Sequence, residues 1–100
     1  LASGCGGEEF RDAVTQVWMP RLREFKPQMI LISAGFDAHF EDDMGNLKFL
    51  EKDYAWVTDQ LKALAAEMCN KRVVSMLEGG YVMTSLARSV GAHLRSLADL

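Results

Sequence analysis

The stretch QMILISAGFDAHFEDDMG, Gln28 to Gly45, decides how this chain is read. Its apolar run MILI is continuous rather than alternating. That pattern predicts a strand, Gln28–Ser33, covered on both faces as in a parallel sheet. The next residues, SAGFDAHFEDDMG, place four carboxylates, one imidazole and two glycines within thirteen positions. Such a concentration of negative charge at a strand end is either a solvated turn or a seat for a cation.

Working outward, residues 1–7, LASGCGG, read as a loop. From Glu8, Phe10, Val14, Val17, Trp18, Leu22 and Phe25 recur at spacings of three and four, which predicts a helix. Glu8, Glu9 and Asp12 suit the positive end of its dipole, and Arg21, Arg23 and Lys26 the negative end. Pro20 falls inside the pattern and predicts a kink or a split, and Pro27 ends it. Downstream of the loop 34–50, residues 51–69 read as a helix with Tyr54, Val57, Leu61, Leu64, Ala65 and Met68 on one face. RVVSML, Arg72 to Leu77, is a second strand broken by Gly79 and Gly80. Residues 83–97 form a last helix with Leu86, Val90, Leu94 and Leu97 inward and His93 at the edge of that face, a structural position.

The order is helix, strand, helix, strand, helix, an α/β arrangement. A strand–helix–strand unit is parallel and right-handed, so the loops after both strands emerge at one edge of the sheet. Ligands of open α/β sheets bind at that carboxyl edge. GFDAHFEDD and EGGYVMT should therefore face a shared crevice. Two parallel strands alone leave both edges unpaired. The chain is thus expected to be part of a larger domain, or to widen its sheet by forming a homo-oligomer.

Composition narrows the function. One hundred residues make one domain's worth of chain, and the net charge of −3 comes with no basic run, so no nucleic-acid partner is expected. No apolar run reaches membrane-spanning length and no signal segment opens the chain. Cys5 and Cys69 read as reduced thiols of a cytoplasmic protein rather than a disulfide framework. The start at Leu1 and the end at Leu100 suggest a piece of a longer chain, a single partial domain over 1–100.

Within the first loop, Asp37, His39, Glu41, Asp42 and Asp43 offer oxygen and nitrogen ligands suited to zinc and other first-row metals. A calcium loop of the EF-hand type starting at Asp37 would need glycine at Asp42 and glutamate at Lys48, and has neither. A phosphate cradle would be opposed by the negative side chains. In the second loop, LEGGY, the paired glycines permit positive φ or a close approach. Tyr81 there is either a packing aromatic with its hydroxyl at the rim or a donor to a developing oxyanion.

ILISAGFDAHFEDDMGNLKF and RVVSMLEGGYVMTSLARSVGAHL resemble two signature segments of the histone deacetylase family, closest to class II-like enzymes and their bacterial amidohydrolase relatives. EKDYAWVTDQLKALA resembles the connecting helix, and EEFRDAVTQVWMPRLREFKP the helix before the first segment, internal proline included. The resemblance implies a piece of the arginase/deacetylase fold, from the C-terminal portion of the catalytic domain. It implies hydrolysis of an acetylated amine, acetyl-lysine or acetylpolyamine, with one zinc ion in the full enzyme. By the family pattern GFDAHxxDP, the zinc aspartate falls on Asp42, with Asp43 in place of the proline and a rival to it. Tyr81 matches the tyrosine that polarises the acetyl carbonyl, and Gly79 and Gly80 the glycines lining the acyl channel.

The family's Asp-x-His zinc pair and tandem histidines have no counterpart here; DAH at 37–39 lies in the other segment and does not inherit that role. A catalytic zinc needs three protein ligands, and this chain supplies Asp42 and at most His39 beside it. It is therefore expected to be inactive alone. The alternative is a stand-alone, non-catalytic α/β oligomerisation module derived from such a gene. A third reading, a small-molecule binding protein using the crevice, has no dedicated motif.

Overall fold

The computed structural model describes residues 1–99. The first helical segment runs as α1 (Gly7–Ala13), a π turn (Val14–Trp18) and α2 (Met19–Phe25). Strand β1 (Ile30–Gly35) is followed by α3 (Glu51–Met68), β2 (Val73–Gly79) and α4 (Met83–Leu97). The expected order holds, with both strands displaced by one or two residues toward the C-terminus. The strands pair in parallel, Ile30 opposite Val73 through Ala34 opposite Leu77, with a register irregularity before Gly35 meets Gly79. Gly79 therefore closes the second strand, and Gly80 breaks it.

The expected split at Pro20 takes the form of a π turn between two α-helical segments, with Pro20 in the first turn of the second. Its ring cannot donate to, and would crowd, the carbonyl of Gln16. The chain takes the wider π turn just upstream, and the backbone stays right-handed on both sides of it. The π turn also shifts the helical phase. Val14 and Met19 face the core, whereas Val17, Trp18 and Phe25, expected inward, are exposed. Lys26 ends α2 in the left-handed region (φ 58°), and its amide donates to the carbonyl of Leu22.

Leu64, Ala65 and Cys69 of α3 and its C-cap join Phe10, Val14, Met19, Ile30, Ala34, Phe36, Phe49 and Tyr54 in one core. Asp53, almost fully buried, accepts from the amide of Leu50 at 2.9 Å and caps α3. Its other oxygen takes the Arg11 guanidinium at 3.3 Å, tying α1 to α3. The Cys69 thiol donates to the carbonyl of Pro27 at 3.1 Å, and both cysteines are free.

The sheet departs from the two-sided burial that the run MILI predicted. Ile30, Ile32 and Ala34 face the helices, while Leu31, 63% exposed, and the neighbouring Val74 and Met76 face outward. The described helices bury one face only. Helix α4 also differs from its apolar pattern. Its buried line is Ser85, Ser89 and His93, flanked by Leu86 and Val90, while Leu94 is exposed. His93 sits at the centre of the buried face because it is hydrogen-bonded at both ring nitrogens. Nδ1 meets Thr58 Oγ1 at 2.7 Å and Nε2 meets Ser75 Oγ at 2.8 Å. Thr58 spends its one hydrogen on the carbonyl of Tyr54 at 2.6 Å. His93 Nδ1 therefore carries the proton, and Ser75 donates to Nε2. Burial pushes the His93 pKa below its ordinary value, so the imidazole is held neutral. Among the described residues, no helix is long and apolar enough to cross a membrane.

Candidate functional site

The parallel pairing brings both loops to one edge, as the topology requires. The amide of Phe36 donates to the carbonyl of Gly79 at 3.0 Å, which carries the ladder one step past the strands. Gly80 has φ +96°, and a Cβ there would lie 2.8 Å from the Phe36 carbonyl carbon and 3.0 Å from the Asp37 nitrogen. Only glycine lets the second loop lie against the start of the first. At Gly79, by contrast, a Cβ would meet nothing within 4 Å.

Asp37 stands two residues past the end of β1, exposed, with its backbone nitrogen beside Gly80 and its carboxylate beside Gly35. Its own backbone is wedged from the other side, because a Cβ at Gly45 would sit 2.1 Å from the Asp37 carbonyl oxygen. The loop then folds on itself. Phe49 donates its amide to the carbonyl of Ala38, and Phe40 to that of Phe49, both at 2.9 Å. Asp42 lies deeper and is 3% exposed. Its Oδ1 accepts from the amide of Met44 at 2.9 Å, the geometry of an Asx turn. Asp43 is exposed.

His39 is fully buried. Its Nδ1 accepts from the amide of Glu41 at 3.1 Å, so a neutral ring carries its proton on Nε2, 3.3 Å from Glu51 Oε2. Arg88 of α4 bridges Glu51 and Glu41. Its guanidinium, more than His39, holds the Glu51 carboxyl down at about 2. The acidic loop is thus pinned to α3 and α4 by one cation between two carboxylates, a contact between distant helices that no local pattern signals.

Tyr81 stands at the rim, 70% exposed, and its hydroxyl donates to the carbonyl of Glu78 at 2.8 Å. Beneath the loop, burial first and the charge of Asp37 second push the Tyr54 phenol above its ordinary value. Among the described residues, no group of three or more His, Cys, Asp or Glu side chains could hold a metal ion. A catalytic zinc requires three protein ligands. The described residues do not complete such a site by themselves.

A two-stranded parallel unit with a crossover helix, an acidic loop and a Gly-Gly-Tyr loop at one edge is a piece of an α/β domain, and its likeness to solved structures makes that the arginase/deacetylase fold. The chain superposes on the HDA15 HD domain with a TM-score of 0.86 at 30% identity, covering 96% of this chain and 26% of that one. On the histone deacetylase Clr3 the TM-score is 0.89 at 30% identity, covering 99% and 16%. The histone deacetylase domain model matches residues 1–97. Type-2 histone deacetylase 2 of Dictyostelium discoideum is 44% identical over 91 residues, 84% of this chain and 5% of that protein. Histone deacetylase 14, chloroplastic, of Arabidopsis thaliana is 40% identical over 97% of this chain and 23% of its own length. A probable deacetylase of Archaeoglobus fulgidus is 40% identical over 81% and 23%. The chain belongs to the histone deacetylase family, and it spans a quarter or less of the length of these relatives.

Proposed function

We propose that residues 1–100 are a single partial domain, the C-terminal part of the catalytic domain of a zinc-dependent histone-deacetylase-like amidohydrolase. The full enzyme would act in the cytoplasm on an acetylated amine, acetyl-lysine or acetylpolyamine. The observation that carries this reading is the meeting of the GFDAH and EGGY loops at one sheet edge, in a chain matched by the deacetylase domain over 1–97. Tyr81 is the catalytic residue of this part. Its exposed phenol can leave the Glu78 carbonyl and donate to an acetyl carbonyl oxygen as charge builds there. Gly79 and Gly80 line the acyl channel, Gly79 by leaving its side open and Gly80 by closing the loops together.

The sequence pattern nominates Asp42 for the metal. We favour Asp37. Support comes from its exposed carboxylate at the strand end, against an Asp42 carboxylate that is buried and engaged by its own turn. A catalytic zinc needs three protein ligands, and our reading is that the missing ones come from the rest of the catalytic domain and that the chain alone is inactive. The test joins this chain to an upstream deacetylase segment carrying the Asp-x-His pair and assays an acetyl-lysine peptide, with metal content measured beside it. Zinc lost in Asp37→Ala and kept in Asp42→Ala supports Asp37, and the reverse returns the role to Asp42. Tyr81→Phe should cut turnover about 10²-fold or more while leaving zinc in place. Full activity in that variant sinks the assignment.

A second reading is favoured by the bare outer face of the sheet at Leu31, Val74 and Met76. In it, the chain is a non-catalytic oligomerisation module that covers this face and the strand edges with further copies. Sedimentation equilibrium separates the two. A concentration-independent dimer or larger species supports the module, and a cooperatively folded monomer removes it.

A further inference from the structure

Under the acidic loop, between the inner face of the sheet and α3, lies a cavity of about 220 Å³. Phe10, Trp18, Ile32, Phe36, Val57 and Leu61 make it predominantly apolar. Tyr54 also lines it. That residue is more than nine-tenths buried; the Ala38 amide approaches its hydroxyl oxygen, and its hydroxyl hydrogen has no acceptor. Native structures rarely leave such a group unpaired, because desolvation without a partner is costly. Thr58 and His93, polar residues of the same wall, are satisfied by each other, by Ser75 and by the Tyr54 carbonyl. Among the described residues, Tyr54 thus carries the only unpaired buried polar atom of the lining.

We propose that this cavity is a binding pocket for a small, neutral, mostly apolar organic molecule whose single hydrogen-bond acceptor meets the Tyr54 hydroxyl. Size sets the class. An apolar cavity of about 150 Å³ holds benzene, so this one accommodates about nine heavy atoms, the size of a simple aryl ketone or ester. Charge sets it too. Burial and Asp37 keep the phenol protonated and therefore a donor, and the same carboxylate disfavours an anion. Trp18, 47% exposed and edge-on to Phe10 at 5.8 Å, is the lining aromatic that reaches solvent and marks the mouth. The pocket lies below the crevice, and it does not depend on any chemistry assigned to Tyr81.

The test titrates the purified chain with acetophenone, whose carbonyl is the acceptor, and with ethylbenzene, of similar shape but without one. Tryptophan fluorescence and the NMR shifts of the lining residues are the readouts. Acetophenone is expected to bind about tenfold more tightly, as one buried hydrogen bond allows. Tyr54→Phe should erase that difference and leave ethylbenzene unchanged. The ligand pair in the unaltered chain gives the same discrimination without a mutation. Absence of any shift at millimolar ligand, equal binding of both, or an unchanged preference in Tyr54→Phe overturns the proposal.

Discussion

The two loops at the carboxyl edge are built in opposite ways. The acidic loop is held at many points: backbone bonds to Phe49, the wedge of Gly45, the Asx turn of Asp42, and Arg88 reaching across from α4. The Gly-Gly-Tyr loop rests on the Phe36 amide bonded to the Gly79 carbonyl and on Gly80 against Phe36 and Asp37, and then presents Tyr81 to solvent. A group that must keep its place is fixed by many weak constraints. Tyr81, which we propose meets an incoming substrate, is left one hydrogen bond away from freedom.

Substitutions break this comparison in a graded way. The largest effect is expected at Gly45. A Cβ there strikes the Asp37 carbonyl, a backbone atom that cannot move aside, and Gly45→Ala should cost about 3 kcal/mol or more in urea unfolding. Gly80→Ala adds a left-handed backbone to a 2.8 Å approach to the Phe36 carbonyl carbon, and should cost about 2–3 kcal/mol. If Gly80→Ala is harmless, the second loop is not anchored where described.

Next is a pH effect away from both loops. His93 has a folded pKa below its ordinary 6.5, so the unfolded chain binds the extra proton first. Its stabilisation is complete above about pH 6.5 and declines as the pH falls toward the folded value. His93→Gln should flatten the stability curve between about pH 7 and 5. Glu51, held at about 2, works at lower pH. Its contribution is present above the ordinary 4.5 and is lost as the pH falls toward 2.

Arg88→Met frees the acidic loop from α4. The loss of stability should be small, because exposed pairs are screened, and it should shrink further with added salt. Hydrogen exchange should still quicken at Phe40 to Met44, and unchanged exchange there would remove Arg88 from the description of the loop. Gly79→Ala is the smallest. With nothing within 4 Å of a new Cβ, stability should move by less than about 0.5 kcal/mol.

Much of this was legible in the residues. The element order, the parallel pairing and the meeting of the two loops follow from the runs MILI and RVVSML and from the handedness of a strand–helix–strand unit. One-sided burial was not legible, because an apolar run states what a strand can bury and not what lies against it. Trp18 and Met19 exchanged places because a π turn changes phase without leaving a mark on composition. The different fates of Asp37 and Asp42 were hidden for a related reason. Both are acidic loop residues, and only the backbone path makes one a turn-former and the other an open carboxylate.

The π turn at Val14–Trp18 has one more consequence. It acts as a phase shifter. One extra residue lets Phe10 and Val14 before it, and Met19 and Leu22 after it, all seat against one core. Removing any single residue between Val14 and Trp18 should restore an unbroken α-helix in which Met19 follows Val14 at a spacing of four, so that everything downstream keeps its face. An unbroken α-helix that kept all five residues would instead turn Met19 about 100° away from the core, although every side chain kept its chemistry. At this point in the chain, counting matters more than identity.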